Sequence, residues 1–238
     1  MTYDILFFGA HPDDVELSAG GTVARAVKDG LKVAIVDLTR GEMGTRGTPQ
    51  MRRREAQNAA KILGASERLQ LDLGDGALRT GRDEELQVIE LIRRWRPSLV
   101  FAPYPDDRHP DHTRTGQLVT DAWFYAGLRA LDTGLPAHRP QAVVYFLQNY
   151  KRQPTFVVDV TATWKTKMKA VAAFKSQFYD PASKEPRTKI SDPRFLEAIE
   201  GNATHYGGMI GAHYGEAFIT KQPPRVDDLM SAYAGREV

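Results

Sequence analysis

The chain has 238 residues, of which 42% are hydrophobic, and a formal net charge of +2 at pH 7. This length fits one domain with a substantial core, and so small a net charge does not favour nucleic acid as a partner. Cysteine is absent, so disulfides are excluded, a metal would need nitrogen and oxygen ligands, and we expect a cytoplasmic protein. No apolar run approaches the ~20 residues that span a bilayer, so no membrane partner is expected.

Apolar β-rich runs alternate with helical patterns through the first two-thirds of the chain. Strands are predicted at residues 3–8, 32–38, 68–72 and 98–103, and helices at 15–29, 49–63, 84–95 and 110–131. This alternation predicts a three-layer, Rossmann-like α/β fold with a doubly wound parallel sheet in the order 3-2-1-4-5. Strands one and four would then be neighbours where the winding reverses, and ligands bind beyond the carboxyl ends of such strands.

The remaining residues, 132–238, are expected to form a C-terminal elaboration of the same single domain, 1–238, whose Rossmann-like core is 1–131. Strands are predicted there at 142–147, 155–160 and 216–219, helices at 162–178 and 194–209, and a polar loop at 179–194. The pattern does not indicate a role for this part of the chain.

Two segments of similar composition follow strands one and four, His11-Pro12-Asp13-Asp14 and His109-Pro110-Asp111-His112. Imidazoles and carboxylates are ligands for hard and borderline metal ions. An aspartate before a helix is commonly an N-cap, and a His-Pro pair is commonly a turn. Because both segments lie at neighbouring strand ends, a metal site is favoured. His11, one of the two aspartates and one of the two later histidines would leave a position open for water, as in catalytic zinc sites.

Three other interpretations stay open at this point. Two histidines and a carboxylate also form the iron site of non-haem oxygenases, although fold-level analogy places those in β folds. A nucleotide-binding module is disfavoured because the turn after strand one lacks G-x-G-x-x-G. A metal-binding role without catalysis is the third. The other histidines, His138, His205 and His213, are expected on the surface or in packing, with His213 near the edge of the site.

The two segments and their surroundings resemble the LmbE-like or PIG-L family of zinc-dependent N-acetylglucosamine deacetylases. The resemblance rests on Ala10-His11-Pro12-Asp13-Asp14, Glu16 and Gly20-Gly21, and on His109-Pro110-Asp111-His112. Further matching features are Thr39-Arg40-Gly41-Glu42, Arg52 with Glu55, Leu63-Gly64 and Asp75-Gly76. It covers residues 3–131 closely and the rest through Lys175-Ser176-Gln177-Phe178 and Tyr214-Gly215-Glu216-Ala217-Phe218. In detail the chain is similar to the bacterial branch that deacetylates N-acetylglucosaminyl malate in bacillithiol synthesis.

The resemblance implies one zinc ion per chain, with His11, Asp14 and His112 as ligands. It also implies Asp13 as general base, His109 as the residue facing the substrate carbonyl, and Asp111 as a carboxylate that contacts His109 or His112 from behind. The expected reaction is hydrolysis of an N-acetylglucosaminyl conjugate, in which Asp13 takes a proton from water and acetate is released. Another conjugate or a chitooligosaccharide is the alternative substrate.

Charged residues near the same strand ends are candidate substrate contacts. Glu42 follows strand two and Asp75 follows strand three, so both border the crevice, where they could accept hydrogen bonds from sugar hydroxyls. Arg52 opens a helix, whose N-terminus favours anions, and we expect it to contact the sugar or a carboxylate of the aglycone. Arg46 and Arg108 are further candidates.

A homo-oligomer is also expected, from the resemblance and from the apolar run Trp123-Phe124-Tyr125. Packing of these aromatic side chains inside the monomer is the alternative.

Overall fold

The computed structural model describes residues 1–233, which form a seven-stranded sheet flanked by helices. The strands are β1 (Ile5–Gly9), β2 (Val33–Asp37), β3 (Glu67–Gln70), β4 (Leu99–Pro103), β5 (Ala142–Phe146), β6 (Phe156–Asp159) and β7 (Gly215–Thr220). The helices are α1 (Asp14–Lys28), α2 (Pro49–Leu63), α3 (Arg82–Trp95), α4 (Pro110–Ala126), α5 (Trp164–Val171) and α6 (Arg194–Gly208). No helix within residues 1–233 is long and apolar enough to cross a membrane.

The strand order is β3-β2-β1-β4-β5-β7-β6. The first five strands are parallel, in the predicted doubly wound order, so the α/β fold class is confirmed. Beyond β5, where the sequence predicted strands without a direction, the sheet becomes mixed, because β7 pairs antiparallel with both β5 and β6. Both of the last strands belong to the C-terminal part of the chain, which therefore extends the same sheet.

Side chains of the central strand enter two separate cores. Phe7 packs with residues of α1 and α2 on one face, whereas Leu6 and Phe8 pack with residues of α3 and α4 on the other. All five residues of β1 are buried, because helices cover both faces of a parallel sheet. This burial explains the unbroken apolar run in the sequence.

Two predicted helices are shorter in the structure. α4 ends at Ala126 instead of residue 131, because the chain there turns around the buried guanidinium of Arg93. That guanidinium donates to the carbonyl oxygens of Ala126, Leu128 and Leu131. α5 covers only Trp164–Val171 of the predicted 162–178. Beyond it the chain forms tight turns that bring two phenylalanines, 174 and 178, into the core.

β1 and β4 are neighbours in register, with Phe7 opposite Phe101. Their carboxyl ends therefore reach the same edge of the sheet, where one loop leads to α1 and the other to α4. This edge carries the functional site.

Candidate metal centre

The two strand-end loops bring three imidazole rings together. The ring centroid of His109 lies 4.8 Å from that of His11 and 4.7 Å from that of His112, and the rings of His11 and His112 are 5.5 Å apart. Ligand atoms of these three histidines lie within 4.8 Å of one another, as do those of His11, Asp75 and Asp111. The convergence of the two segments, inferred from topology, is thus present in the structure.

Asp14 links His11 to His112. Its Oδ1 lies 3.2 Å from Nε2 of His112, and its Oδ2 lies 3.5 Å from Nδ1 of His11. Oδ2 also accepts a hydrogen bond from the backbone N–H of His11, and Oδ1 accepts one from the side-chain amide of Gln148. Burial alone would raise the pKa of Asp14, but the neighbouring imidazoles outweigh it and hold that pKa well below its usual range. Asp14 is therefore ionised, and it faces one nitrogen of each of the two histidines predicted as ligands.

Asp13 has a different environment from the adjacent Asp14. Its φ of 111° lies in the left-handed region, which is strained for a residue with a side chain. It occupies the N-cap position of α1 without a capping hydrogen bond from its side chain. This backbone turns its buried carboxylate toward Arg52, whose Nη2 lies 3.2 Å from Oδ2. Burial raises the pKa of Asp13 to about 7, against the opposing charge of Arg52. At neutral pH this carboxyl group is poised to gain or lose a proton.

Arg52 occupies a confined position under the site. Its guanidinium donates to the carbonyl oxygens of Pro12 and Gly41 as well as to Asp13. A Cβ at Gly41 would lie only 2.1 Å from Nη1 of Arg52, and the φ of Gly41 is +64°, so only glycine fits there. Arg52 lines the cavity. However, its guanidinium binds Asp13 and the backbone of the loop that contains Asp13.

Asp107, which sequence reasoning missed, is the carboxylate behind His112. Its Oδ1 lies 2.9 Å from Nδ1 of His112, while its oxygens also accept hydrogen bonds from the backbone N–H groups of His109 and Asn149. Burial alone would lower the pKa of His112, but Asp14 and Asp107 raise it to about 9. An aspartate two residues before the second segment was the available signal.

The expected contact of Asp111 with His109 or His112 through its carboxylate is wrong. Oδ2 of Asp111 accepts a hydrogen bond from the backbone N–H of Gly76 and lies 3.4 Å from Nε2 of His11. Asp111 sits on the first turn of α4, and that position directs its side chain toward the loop after β3, away from the ring of His112. His11 is thereby flanked by Asp111 and by Asp75, whose Oδ1 is 3.0 Å from the same Nε2.

The ring of His109 has a defined hydrogen-bonding state. The backbone N–H of Asp111 donates to Nδ1 of His109 at 3.2 Å. Burial and the charges of His11 and His112 lower the pKa of His109. A neutral ring whose Nδ1 accepts carries its proton on Nε2, so His109 offers a donor without being charged.

The predicted substrate contacts separate into two groups. Asp75 lines the cavity, and Arg108 lies exposed at its rim. Glu42 is not among the lining residues, because its carboxylate accepts hydrogen bonds from the backbone N–H groups of Arg40 and Asp75. Arg46 also lies outside: its buried guanidinium donates to backbone carbonyl oxygens at positions 176 and 186. Both side chains thus have partners in the protein itself, and a contact of either with substrate stays a prediction.

One cavity of about 630 Å³ contains the site. Its lining includes members of the histidine and aspartate cluster on one hand and residues of α6 and β7 on the other. Residues at its rim are exposed, including Met43, Arg108, Lys151 and Lys189. None of the three other histidines lines it, and His213, expected near its edge, is exposed elsewhere.

The charge of the cluster favours a cation. Five carboxylates meet three histidines there, and among the described residues only Arg52 and Arg114 pair with them as permanent cations. The five are Asp13, Asp14, Asp75, Asp107 and Asp111. Protonated His11 and His112 offset this charge, and a divalent ion bound by the same atoms would replace those protons. The nitrogen and oxygen donors fit a metal such as zinc.

Comparison with known proteins agrees with the geometry. Residues 6–123, which include both His-Asp segments, match the family described as PIG-L, GlcNAc-PI de-N-acetylase. The chain is 33% identical over 227 residues to the diacetylchitobiose deacetylase of Thermococcus kodakarensis, covering 89% of this chain and 80% of that protein. It is 29% identical over 191 residues to a probable N-acetyl-α-D-glucosaminyl L-malate deacetylase 2 of Bacillus anthracis, covering 73% and 81%.

Among solved structures, the conserved protein TT1542 from Thermus thermophilus is similar with a TM-score of 0.88 at 36% identity, covering 96% of this chain and 99% of that one. Sequence and fold thus agree over nearly the whole length. The chain belongs to the PIG-L family of de-N-acetylases.

Proposed function

We propose that this protein is a zinc-dependent enzyme that hydrolyses the N-acetyl amide of an N-acetylglucosaminyl conjugate and releases acetate. The observation that carries the proposal is the arrangement at the strand ends: Asp14 contacts both His11 and His112, while the adjacent Asp13 is buried against Arg52. Membership of the de-N-acetylase family supports the same reaction class.

His11, Asp14 and His112 would hold the metal, one ion per chain. Bound zinc supplies Lewis acidity toward the amide carbonyl and lowers the pKa of water to ~7. Asp13 accepts the proton of the attacking water, a step for which a base that titrates near neutral pH is suited. Nε2–H of neutral His109 donates to the carbonyl oxygen as negative charge develops there. Asp13, now protonated, returns a proton to the departing amine.

Arg52 and Asp107 act through other residues in this mechanism. Arg52 holds the carboxylate of Asp13 in its strained loop. Asp107 fixes the ring of His112 by its contact with Nδ1, which leaves Nε2 directed at Asp14. Asp75 borders His11 and is the candidate acceptor for a sugar hydroxyl.

We further propose that the aglycone carries carboxylates, as N-acetylglucosaminyl malate of bacillithiol synthesis does. Arg108 Nε and Lys189 Nζ each donate to Oδ1 of Asn149 at 3.2 Å. Both cations line the rim, and neither belongs to an ion pair among residues 1–233. Two cations that share one neutral oxygen would bind a carboxylate more strongly. The Bacillus anthracis relative is named for the malate conjugate, and the Thermococcus kodakarensis relative, named for diacetylchitobiose, supports the alternative substrate.

Acetate release from a panel of N-acetylglucosaminyl substrates tests the function. The wild-type protein should bind one zinc per chain and release acetate, and His112→Ala should lose both while the circular dichroism spectrum stays native. His213→Ala, outside the cavity, is the control. Full zinc content and normal turnover in His112→Ala would contradict the proposal, and iron in protein purified without added metal would favour the non-haem iron alternative.

Removing a positive charge at the rim of the cavity tests whether the aglycone is anionic. Arg108→Ala should raise KM for the malate conjugate more than KM for methyl N-acetylglucosaminide, and the difference should shrink in high salt. Arg129→Ala, an exposed arginine outside the cavity, should change neither. Equal effects on both substrates, or preferred hydrolysis of diacetylchitobiose, would remove the anionic aglycone from the proposal.

We also propose that the protein is cytoplasmic and forms a homo-oligomer. The aromatic run offers less exposed surface than its sequence indicated, because Trp123 donates to the carbonyl of Pro140 and packs, with Tyr125, against the core. Phe124 is 47% exposed and lies under the guanidinium of Arg139. Light scattering at micromolar concentration tests this point, and a monomer would contradict it.

A further inference from the structure

The loop after β5 contacts the metal centre through two neutral side chains. β5 is parallel to β4, with Phe146 opposite Pro103, so its carboxyl end reaches the same edge of the sheet as those of β1 and β4. Gln148 and Asn149 lie just after this strand end, and both line the cavity. Neither residue belongs to the two His-Asp segments, yet each donates a hydrogen bond to a carboxylate of the cluster.

Gln148 holds Asp14 in place. Its Nε2 donates to Oδ1 of Asp14 at 2.9 Å, and the backbone N–H of His11 donates to Oδ2 at 2.8 Å. Because a carboxylate oxygen offers about two lone pairs, these donors fix the carboxylate and leave a lone pair on each oxygen for the side of the two imidazoles. The amide of Gln148 has a fixed orientation, since reversing it would place Oε1 against an ionised oxygen of Asp14. Oε1 is buried without a hydrogen-bond partner among residues 1–233, so the contact with Asp14 alone orients this amide.

Asn149 holds Asp107, the carboxylate behind His112. Its Nδ2 donates to Oδ1 of Asp107 at 2.9 Å, and its backbone N–H donates to Oδ2 at 3.0 Å. Nδ1 of His112 lies 2.9 Å from the same Oδ1 of Asp107. The amide of Asn149 also has a fixed orientation, because its own Oδ1 accepts hydrogen bonds from Arg108 and Lys189. Asn149 therefore reaches the ring of His112 through Asp107.

We propose that Gln148 and Asn149 are positioning residues of the metal centre, one for the ligand Asp14 and the other, through Asp107, for the ligand His112. The inference rests on the proposed function and specifies how the chain orients two of the three metal ligands. Neutral amides are suited to this task, since each donates to a carboxylate without placing a positive charge beside the cation that the site binds. A lysine or arginine at either position would repel a divalent ion.

Zinc affinity, measured by competition with a chelator, tests the proposal. Gln148→Met keeps the length of the side chain but removes its donor, so zinc should bind about 10–100-fold more weakly. Asn149→Ala should cause a smaller loss, because the backbone N–H at this position still reaches Asp107. Two matched controls should keep the wild-type affinity: Gln153→Met, exposed on the same loop, and Asn202→Ala, half-buried where α6 lines the cavity.

Two further measurements separate positioning from a general loss of stability. In an Asp107→Ala background, Asn149→Ala should weaken zinc binding no further, whereas Gln148→Met should keep its full effect, because it acts on the other ligand. Cobalt(II) in place of zinc reports the geometry of its ligands in its visible absorption spectrum. Gln148→Met should shift that spectrum while the circular dichroism spectrum stays native.

The outcomes for the metal centre and for its positioning residues are distinguishable. Wild-type zinc affinity and an unchanged cobalt spectrum in folded Gln148→Met would overturn the inference and leave the proposed function standing. Gln148→Ala replaces Gln148→Met if that variant does not fold. Equal losses in the two control variants, or a further loss from Asn149→Ala in the Asp107→Ala background, would also overturn it. A wild-type protein that binds no zinc would overturn the proposed function and the inference together.

Discussion

The two walls of the cavity are built in opposite ways. The strand-end wall, formed by the loops at residues 11–14 and 107–112, carries a cluster of histidines and aspartates that are mostly buried, each with at least one partner within hydrogen-bonding distance. The helical wall is the face of α6 that lines the cavity, and its side chains are mostly apolar. Ala203 and Tyr206 are buried, Phe195 and Ile199 are half-buried, and Ala198 is exposed. The strand-end wall holds polar atoms in fixed positions, whereas the helical wall provides apolar surface.

This difference matches two requirements of a hydrolase. Proton transfer depends on the position of a few atoms, which a dense hydrogen-bonding network on rigid strand ends can hold. Substrate selection depends on shape and burial, which an apolar helix face can change by single substitutions. The contrast predicts that strand-end variants alter chemistry and metal binding, whereas helical-wall variants alter substrate preference.

The largest effect on activity should come from variants that distinguish the roles of the adjacent aspartates, Asp13 and Asp14, in the strand-end wall. Asp13→Asn keeps the size of the side chain and its hydrogen bond to Arg52 but removes its basicity. Zinc should stay bound while kcat falls about 10²–10⁴-fold, the usual contribution of a positioned base. Metal content by mass spectrometry and steady-state kinetics measure the two properties.

Asp14→Asn is the matched partner of that variant. Because Asp14 faces both His11 and His112, its loss should weaken zinc binding itself, and added zinc should restore part of the activity. A zinc-deficient Asp13→Asn with a zinc-replete Asp14→Asn would show that the two carboxylates have the opposite roles.

A smaller effect is expected at Asp107. Asp107→Asn removes the carboxylate that orients His112 and should weaken zinc affinity about 10–100-fold. Asp106→Asn is the control, since this exposed neighbour pairs only with Arg152 in the ion pairs of residues 1–233. Competition with a chelator measures both variants. If Asp106→Asn weakened zinc as much as Asp107→Asn, the orienting role of Asp107 would be wrong.

The two walls also differ in how far their residues could be predicted. The segments His11–Asp14 and His109–His112 follow strand ends whose adjacency is set by the doubly wound order, so local sequence and topology bring them together. Asp107 had only its position two residues before the second segment as a signal, and Gln148, which donates to Asp14, had none, because loop geometry decides which side chain reaches the cluster. Arg46 and Glu42 have the expected charge and position but are engaged by backbone groups of loops distant in sequence.

In the fold, too, locally determined parts could be predicted from the sequence and parts that depend on distant residues could not. Strand and helix periodicity predicted the first five strands and their order, since each βαβ unit is local. The antiparallel β7 depends on pairing between residues far apart in the chain, such as Val144 with Thr220, which periodicity does not encode. The helical wall depends on that long-range placement, and no function was assigned to α6 from sequence.

Zinc binding at the strand-end wall should depend on pH, whereas variants of the helical wall should not change this dependence. In the metal-free protein Asp14 and Asp107 raise the pKa of His112 to about 9, against the effect of burial. His112 must lose its proton to bind zinc, so binding at pH 7 should release at least one proton and strengthen by up to about tenfold per pH unit until pH 9. The same shift stabilises the metal-free protein below about pH 6.5, and this stability should be lost as the pH rises toward 9.

Calorimetry in buffers of different ionisation enthalpy counts the protons. Asp107→Asn should release fewer at pH 7, because its His112 has lost one of the carboxylates that raise its pKa. Ala198→Gln on the helical wall should release the wild-type number. Zinc binding without proton release at pH 7 would contradict this account of the cluster.

The smallest effect on activity should follow Arg46→Ala, which acts on the support of the helical wall. Arg46 donates to the carbonyl oxygens of Ser176 and Pro186 and to the hydroxyl of Ser183, so it ties the segment before α6 to the loop after β2. Its removal leaves partly buried carbonyl groups without this donor, at a cost of about 1 kcal/mol. Hydrogen exchange should then accelerate across residues 176–191 and stay unchanged at residues 11–14, while zinc content stays at the wild-type level. Arg54→Ala, exposed on α2, is the control. Faster exchange at the strand ends in Arg46→Ala would mean that the two walls are one cooperative unit, and the division of roles between them would fail.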